Sequence, residues 1–269
     1  MQTVHSADGT TIAFDRSGDG PALILVSGAS ATRANEGTLA AALAPYFTVF
    51  AYDRRGRGDS GDTLPYAVLR EVEDVQALLD AAGGPAFLFG HSSGGALALE
   101  AARLLPGKIT KLAIYEAPFI VDDGRPPMPP DLPARLEGLV AAGQRGDAVE
   151  LWQRNIGLPA EVIAHLRQSP MWPGLEAAAP TLVYDLAVLG DTQSGSPLPL
   201  RRYAAVKVPT LVMDGTLFLG HEENHGWMRH GADELARVLP DAQRSTLPGQ
   251  DHRPADEVLV PALKAFFAG

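Results

Sequence analysis

The sequence predicts an α/β domain built on a mostly parallel β-sheet. Short apolar runs without polar alternation recur along the 269 residues, as expected of strands that are buried on both faces, and helical patterns lie between them. The composition, with 46% hydrophobic and 20% charged residues, is that of a chain able to bury a full core. Strands that alternate with helices in this way form an open parallel sheet with helices on both faces.

Eight strands are predicted, and the first two form an antiparallel hairpin. Their turn is Ala7-Asp8-Gly9, in which the glycine tolerates a positive φ. The central strands are apolar runs such as Ala-Leu-Ile-Leu-Val, and the last one leads into a glycine-containing loop. The predicted strands are residues 3–6, 11–15, 22–26, 47–51, 86–89, 112–115, 210–213 and 244–247.

Helices are predicted between and after these strands. Apolar spacing over residues 68–79 predicts a helix that ends before Gly83-Gly84-Pro85, an Ala- and Leu-rich helix follows at 96–105, and an apolar stripe from 258 to 267 predicts a last helix. Residues 122–133 are too rich in proline for a continuous helix or a central strand. Helical patterns then occupy 136–142, 148–155, 160–166 and 175–189. We therefore expect residues 1–121 and 201–269 to form the core and residues 122–200 to be an inserted helical cap.

Charge and residue content exclude several classes of function. The chain has 22 Lys and Arg against 32 Asp and Glu, a net charge of −10, and no basic run, so nucleic acid and anionic membranes are poor partners. The absence of cysteine excludes disulfides, thiolate nucleophiles and cysteine metal sites. The N-terminal segment lacks the pattern of a signal peptide, and no apolar run approaches ~18 residues, so we expect a cytoplasmic protein.

A nucleophile motif lies between a predicted strand and a predicted helix. Its residues are Gly90-His91-Ser92-Ser93-Gly94. In this context a G-x-S-x-G sequence forms a strained turn that holds the serine hydroxyl above the sheet, and the two small glycines let strand and helix approach each other. The N–H of Ser93, at a helix N-terminus, would point to the place where an oxyanion forms. The alternative is an ordinary glycine-rich turn.

With this motif the sequence resembles the α/β-hydrolase family over nearly its whole length. Three further segments match the family: Leu25-Val26-Ser27-Gly28-Ala29, residues 52–60, and Pro248-Gly249-Gln250-Asp251-His252. The resemblance implies the α/β-hydrolase fold, a mostly parallel eight-stranded sheet with helices on both faces and an inserted helical cap. It also implies that the N–H of Gly28 or of Ala29 is the second oxyanion donor, a choice left open because Ser27 replaces the usual histidine.

The resemblance further implies a catalytic base and an acid. His252 lies in the loop that carries the family's catalytic histidine, whereas His91 would point away from the neighbouring serine. The usual acid position, after Gly215, is occupied by apolar residues. A subset of the family, including haloalkane dehalogenases and zearalenone lactonases, places the acid after the strand that follows the nucleophile helix. Glu116 stands there, and we predict it as the acid, with Asp214 as the alternative.

Two further patterns receive structural interpretations. His221-Glu222-Glu223-Asn224-His225 has the H-E-x-x-H spelling of zinc peptidases, but it falls in a predicted loop, so we expect a solvated loop and no metal. The charged residues 54–62 are expected to hold their turn through internal salt bridges. Trp152, Trp172 and Tyr184 are expected mainly in the core of the cap.

The sequence therefore predicts a serine hydrolase that cleaves an ester or lactone of a hydrophobic small molecule through an acyl-enzyme. Ser92 is the predicted nucleophile, His252 the general base and then acid, and Glu116 the residue that orients the imidazole. No cofactor is expected. Cofactor-free haloperoxidase-like chemistry, carbon–carbon bond hydrolysis on the same triad, and a non-catalytic ligand-binding homologue are the alternatives. The sequence does not fix the substrate or the oligomeric state.

Overall fold

One eight-stranded sheet forms the centre of the structure. The computed structural model describes residues 1–221 and 225–269. The strands are β1 (Gln2–His5), β2 (Thr11–Ser17), β3 (Ala22–Val26), β4 (Thr48–Tyr52), β5 (Ala86–His91), β6 (Ile109–Tyr115), β7 (Thr210–Asp214) and β8 (Ala242–Thr246). Their order in the sheet is β1-β2-β4-β3-β5-β6-β7-β8. The pairs β1–β2 and β2–β4 are antiparallel and the other neighbouring pairs are parallel, which confirms the predicted fold class.

The predicted strands differ from the observed ones only at their ends. The largest difference is in β6, which begins at Ile109 rather than at residue 112. Of the three added positions, Thr110 and Lys111 are not buried, and they separate the buried Ile109 from the apolar run that predicted the strand. The predicted hairpin is confirmed as well, because the N–H of Ser6 donates to the carbonyl of Thr10 at 2.9 Å and Gly9 has a φ of 85°.

Helices cover both faces of the sheet. Alternate residues of β3 serve opposite faces, since Ile24 and Val26 join one apolar cluster whereas Leu23 and Leu25 join the other. The first cluster includes residues of α2, α3 and α9, and the second includes residues of α1 and α10, whose bounds are α1 (Gly37–Leu43), α2 (Val68–Ala81), α3 (Ser93–Leu104), α9 (Gly226–Val238) and α10 (Asp256–Ala268). Within residues 1–221 and 225–269, no helix has the length and hydropathy needed to cross a membrane.

A helical segment lies between β6 and β7. Its α-helices are α4 (Leu132–Ala141), α5 (Arg145–Asn155), α6 (Ala160–Arg167), α7 (Trp172–Ala178) and α8 (Leu182–Leu189), and most of them contribute to an apolar cluster separate from those of the sheet. The single helix predicted over residues 175–189 is wrong, because a 3-10 turn, Ala179–Thr181, separates α7 from α8. Pro180 lies in that turn, where its ring removes the N–H that a continuous α-helix would use. We call residues 122–200 the helical insertion.

Candidate active site

The candidate site lies at one edge of the sheet, where the carboxyl ends of the parallel strands meet. Ser92 follows β5, Glu116 follows β6 and Gly215 follows β7, and these three strands are neighbours. His252 comes from the loop after β8. In open α/β sheets ligands bind at this edge, because loops from several strands converge there. Residues far apart in the chain therefore share one site.

Ser92 adopts a strained backbone conformation between β5 and α3. Its φ and ψ are 55° and −129°, a region that non-glycine residues rarely occupy. A Cβ added at Gly90 would lie 2.6 Å from the carbonyl oxygen of Gly94, and one added at Gly94 would lie 2.2 Å from that of Val26, so both positions need the small residue that the sequence predicted. The Ser92 N–H donates to the carbonyl of Tyr115 at 3.0 Å, which joins the turn to the end of β6.

The loop after β3 passes directly beside Ser92. A Cβ on Gly28 would lie 2.9 Å from the Cβ of Ser92, so only glycine allows this approach. The Gly28 carbonyl accepts a hydrogen bond from Arg57 Nη1 at 2.8 Å, and the Ser27 carbonyl accepts one from Arg54 Nη1 at 3.4 Å. Because the C=O and N–H of a trans peptide point in opposite directions, the N–H groups of Gly28 and Ala29 point away from these arginines. Both therefore stay candidate oxyanion donors, together with the N–H of Ser93.

Glu116 is a buried carboxylate with three hydrogen-bond donors. Only 1% of the residue is exposed. His252 Nδ1 lies 2.7 Å from Oε2, while His225 Nε2 and the Gly215 N–H each lie 2.8 Å from Oε1. Burial raises the pKa of Glu116, but the hydrogen bonds from His225 and His252 outweigh it and lower that pKa to about 2. Glu116 is therefore ionised and can only accept, so each histidine nitrogen facing it carries a proton.

His252 joins the carboxylate to the cavity that contains Ser92. In a neutral ring whose proton is on Nδ1, Nε2 is the basic nitrogen. About a third of the side chain, 32%, is exposed, and the residue lines the same cavity as Ser92. The hydrogen bonds among the described residues include none between the Ser92 hydroxyl and this ring. Hydrogen bonds between a catalytic serine and its base are often long in structures without substrate. The pairing of Ser92 with His252 is therefore inferred from the cavity that they share and from the bond that holds His252 Nδ1 on Glu116.

His91 supports the loop of His252. Its Nε2 donates to the His252 carbonyl at 2.7 Å. Burial and the nearby His252 ring lower the pKa of His91 to about 3, so this imidazole is neutral. The sequence predicted that His91 points away from the serine hydroxyl. The hydrogen bond from His91 to the His252 backbone agrees with a structural role.

His225 is a functional neighbour that the sequence analysis missed. The prediction that it lies in a solvated loop is wrong, because the residue is completely buried and its Nε2 contacts Glu116. Its Nδ1 has no hydrogen-bond partner among the described residues. If the His225 proton is on Nε2, the unpaired Nδ1 is a neutral acceptor. Burying an unpaired neutral acceptor costs less free energy than burying an unpaired charged donor. No periodicity could have revealed this contact, since the two residues are 109 positions apart.

Asp214, the alternative acid, is held by a different partner. It ends β7, is completely buried and accepts a hydrogen bond from Arg244 Nη1 at 2.8 Å. The side chains that pair with it among the described residues are Arg244 and Arg229, and the N–H of the following residue, Gly215, donates to Glu116 instead. The end of β7 thus supplies a backbone donor to the carboxylate that follows β6.

The zinc-like motif does not provide a metal site within the described chain. Glu222, Glu223 and Asn224 lie outside the described residues. Among residues 1–221 and 225–269, no cluster of three or more His, Asp or Glu side chains has an arrangement that could hold a metal ion. His225 Nε2 is already bonded to Glu116, so this nitrogen is not available to a metal.

A cavity of about 480 Å³ opens beside Ser92 and His252. Apolar side chains of the helical insertion and of α9 form much of its wall, among them Trp152, Leu189 and Trp227. Trp172 and Tyr184 are not on this wall: the first packs in the apolar cluster of the helical insertion and the second stacks on Tyr66 with ring centres 3.8 Å apart. Of the three aromatic residues singled out in the sequence, only Trp152 faces the candidate site.

A buried ionic network joins the helical insertion to the candidate oxyanion segments. Asp185 of α8 accepts hydrogen bonds from Arg54 Nη1 at 2.8 Å, Arg57 Nη2 at 2.7 Å and the Ser93 hydroxyl at 2.8 Å. The two guanidinium groups are the ones that bind the carbonyls of Ser27 and Gly28. The prediction that these arginines pair within their own turn is wrong, because their carboxylate partners are Asp185 and, for Arg54, Glu71.

Comparisons of the sequence and of the structure with known proteins point to the same family. A family model described as the alpha/beta hydrolase family matches residues 23–261. The crystal structure of an alpha/beta hydrolase from Sphaerobacter thermophilus is 52% identical, covers 99% of this chain and 100% of its own, and superposes with a TM-score of 0.90.

Two curated proteins match shorter segments. The N-formylmaleamate deformylase of Pseudomonas putida is 33% identical over 135 residues, or 48% of this chain and 50% of the relative. Lipase LipV of Mycobacterium tuberculosis is 33% identical over 82 residues, or 30% of this chain and 31% of the relative. The chain thus matches half the length or less of these two proteins.

Acid titration should reveal the charge of Glu116. Its folded pKa of about 2 is below the usual 4.5, so the ionised group stabilises the fold fully above pH 4.5 and loses this effect as the pH falls through 2. That depression corresponds to roughly 3 kcal/mol. We expect urea denaturation to show that wild type exceeds Glu116→Gln in free energy of unfolding at neutral pH, and that the difference shrinks between pH 4.5 and 2. A difference that does not change with pH would contradict an ionised Glu116.

Removal of the charge on Asp185 should destabilise the protein strongly. Asp185→Asn leaves two buried guanidinium groups short of an anion, and breaking a buried pair costs about 3–5 kcal/mol. Asp80→Asn is the matched control, because Asp80 pairs with Lys108 on the surface and such pairs contribute at most about 1 kcal/mol. Chemical denaturation of both variants measures the difference. Equal losses in the two variants would show that the network adds no more than a surface pair.

Proposed function

The chain belongs to the alpha/beta hydrolase family, and on that premise we propose that it hydrolyses a carboxylic ester or lactone of a small molecule through an acyl-enzyme on Ser92. The observation that carries the proposal is the 2.7 Å hydrogen bond between Glu116 and His252 Nδ1 beside the cavity that Ser92 lines. It leaves Nε2 as the nitrogen able to take the serine proton. The helical insertion, which contributes much of the cavity wall, acts in this proposal as the cap.

The proposed first half-reaction forms the acyl-enzyme. Ser92 Oγ attacks the carbonyl carbon while its proton moves to His252 Nε2, and the ionised Glu116 stabilises the resulting imidazolium. The negative charge that develops on the carbonyl oxygen is bound by the N–H of Ser93 and by that of Gly28 or Ala29. The carbon–oxygen bond to the leaving group then breaks, and His252 gives the proton to the departing alkoxide. In a lactone both products stay on one molecule.

The second half-reaction reverses these roles. Water loses a proton to His252 and attacks the acyl carbon, and the collapse of the tetrahedral intermediate returns the proton to Ser92 Oγ and frees the acid. In this scheme His252 accepts or donates the proton in every proton transfer. The apolar wall of Trp152 and its neighbours favours a largely hydrophobic acyl or alkyl group. A lipase and a deformylase are among the similar proteins. The only feature that the proposal shares with them is attack on a carbonyl carbon.

Covalent labelling should identify Ser92 as the nucleophile. A fluorophosphonate probe reacts with a serine that a base has activated, so wild type should be labelled and Ser92→Ala should not. Ser30→Ala is a suitable control, because Ser30 lines the same cavity and its removal should leave labelling intact. Mass spectrometry of the labelled peptide gives the position, and turnover of a panel of esters and lactones gives the activity. Labelling that persists in Ser92→Ala, or turnover that does not need Ser92, would contradict the proposal.

Exchange of each carboxylate for its amide should separate Glu116 from Asp214. Glu116→Gln keeps the shape of the side chain but can stabilise the wrong imidazole tautomer, and the analogous change in serine proteases lowers kcat about 10⁴-fold. Asp214→Asn should weaken its pair with Arg244 and thereby lower the melting temperature, with kcat nearly unchanged. Steady-state kinetics on folded variants, checked by thermal denaturation, makes the comparison. A crippled Asp214→Asn beside an active Glu116→Gln would place the acid after β7.

A further inference from the structure

The candidate cavity contains a cation that the proposed mechanism does not use. Arg125 lies in the proline-rich stretch between β6 and α4, at the beginning of the helical insertion, and lines the same cavity as Ser92 and His252. The proposed acyl-transfer steps need a nucleophile, a base, an acid and oxyanion donors, and Arg125 is none of these. Its position on the cavity wall therefore needs another explanation.

The guanidinium of Arg125 is held by neutral groups. It stacks over the Trp227 ring, with its carbon 4.5 Å from the ring centre, and Nη2 donates to the carbonyl of Asn155 at 2.5 Å. Among the described residues, no carboxylate lies within ion-pair distance of it. Of the two aspartates earlier in the same stretch, Asp122 is bonded to His230 and to the N–H of Gly124, and Asp123 is exposed.

The other charged groups of the cavity do not neutralise Arg125. The carboxylate of Asp251 already accepts hydrogen bonds from the N–H groups of Leu219, Gly220 and His252. Arg253, which also lines the cavity, adds a second positive charge. The cavity wall thus carries two arginines, Arg125 and Arg253, against one aspartate, in a chain whose net charge is −10.

Leaving such a group unpaired costs free energy. Arg125 is only partly exposed, and burial lowers the pKa of its guanidinium below the usual value, although arginine stays charged at neutral pH. The more deeply buried Arg54, Arg55 and Arg57 are each paired with carboxylates. A partly desolvated arginine without an anion is a ready partner for one that the substrate brings.

We propose that Arg125 binds a carboxylate of the substrate, so that the preferred ester or lactone carries a second, anionic group at the end remote from the scissile bond. The inference rests on the proposed function and names its substrate class. The stacking on Trp227 and the bond to Asn155 fix the plane of the guanidinium and leave other N–H groups of its fork free for a bidentate contact. The apolar wall between the two ends holds the connecting carbon chain.

Two esters that share one acyl chain and one leaving group, but differ at the remote end, test this assignment. They are 4-nitrophenyl hydrogen adipate, which ends in a carboxylate, and methyl 4-nitrophenyl adipate, whose same end is neutral. The release of nitrophenol reports kcat and KM for both esters with wild type, Arg125→Gln, Arg125→Lys and the control Arg154→Gln. Arg154 is an exposed residue of α5 that pairs with Glu150 and does not line the cavity.

Wild type should prefer the charged ester. Arg125→Gln should lower kcat/KM for that ester about 10- to 100-fold, mainly through KM, because a charge-assisted bond is lost in both the ground and transition states. It should leave the neutral ester unchanged. Arg125→Lys should retain part of the preference, because it keeps the charge but loses the planar fork, and Arg154→Gln should behave as wild type. Equal losses for both esters, or a loss that follows Arg253→Gln instead, would overturn the assignment.

A binding measurement separates this inference from the proposed function. Adipate, which cannot be hydrolysed, should raise the melting temperature of wild type by mass action, whereas neutral adipamide and the Arg125→Gln variant should show no such rise. If neither ester is hydrolysed in a Ser92-dependent way, the proposed function fails, and the adipate result still decides whether Arg125 binds an anion. If both esters are hydrolysed at equal rates and adipate has no effect, the function stands and the role of Arg125 is rejected.

Discussion

The hydrogen bonds to the buried carboxylate of Glu116 are the interaction on which the rest of the candidate site depends. Without water around it, an ionised carboxylate is stable only if protein donors replace the solvent. Here the donors come from two loops: Gly215 and His225 lie at opposite ends of the one between β7 and α9, and His252 lies in the one between β8 and α10. Because the acceptor belongs to a residue fixed at the end of β6, each loop is held in place by the same requirement.

This arrangement also explains why the end of β7 carries a glycine followed by apolar residues. A carboxylate there would be a second anion close to Glu116, and like charges at that separation raise the cost of ionising both. The Gly215 N–H adds a donor to the first carboxylate instead. Asp214 ends the same strand, yet its charge is neutralised by Arg244 rather than by a histidine. The two acidic side chains therefore have separate partners: histidines and a backbone N–H for Glu116, and arginine for Asp214.

The second constraint is the desolvation of Arg54 and Arg57. Burying these cations requires anions of equal depth, and Asp185 of the helical insertion supplies one to both. Their remaining N–H groups bind the carbonyls of Ser27 and Gly28, so the ion network and the peptide groups beside Ser92 form one connected structure. The helical insertion is thus joined to the core by buried ion pairs, whereas the side chains that line the cavity are mostly apolar.

The sequence by itself determined the elements whose signals are local. Apolar runs and breakers give the strands and most helices, and the demand for small residues around a strained turn gives Ser92, because these depend on neighbours within a few positions. The resemblance to the family implied His252 and Glu116, whose hydrogen bond the structure contains. Only the tertiary structure decided the partners of the buried charges: His225 contacts Glu116, and Asp185 pairs with arginines 131 and 128 positions away. It also places Arg125 on the cavity wall, where none of the described residues supplies it with a carboxylate. Charge pairing acts through space at hydrogen-bond distance, and the chain records no periodicity for contacts between residues so far apart.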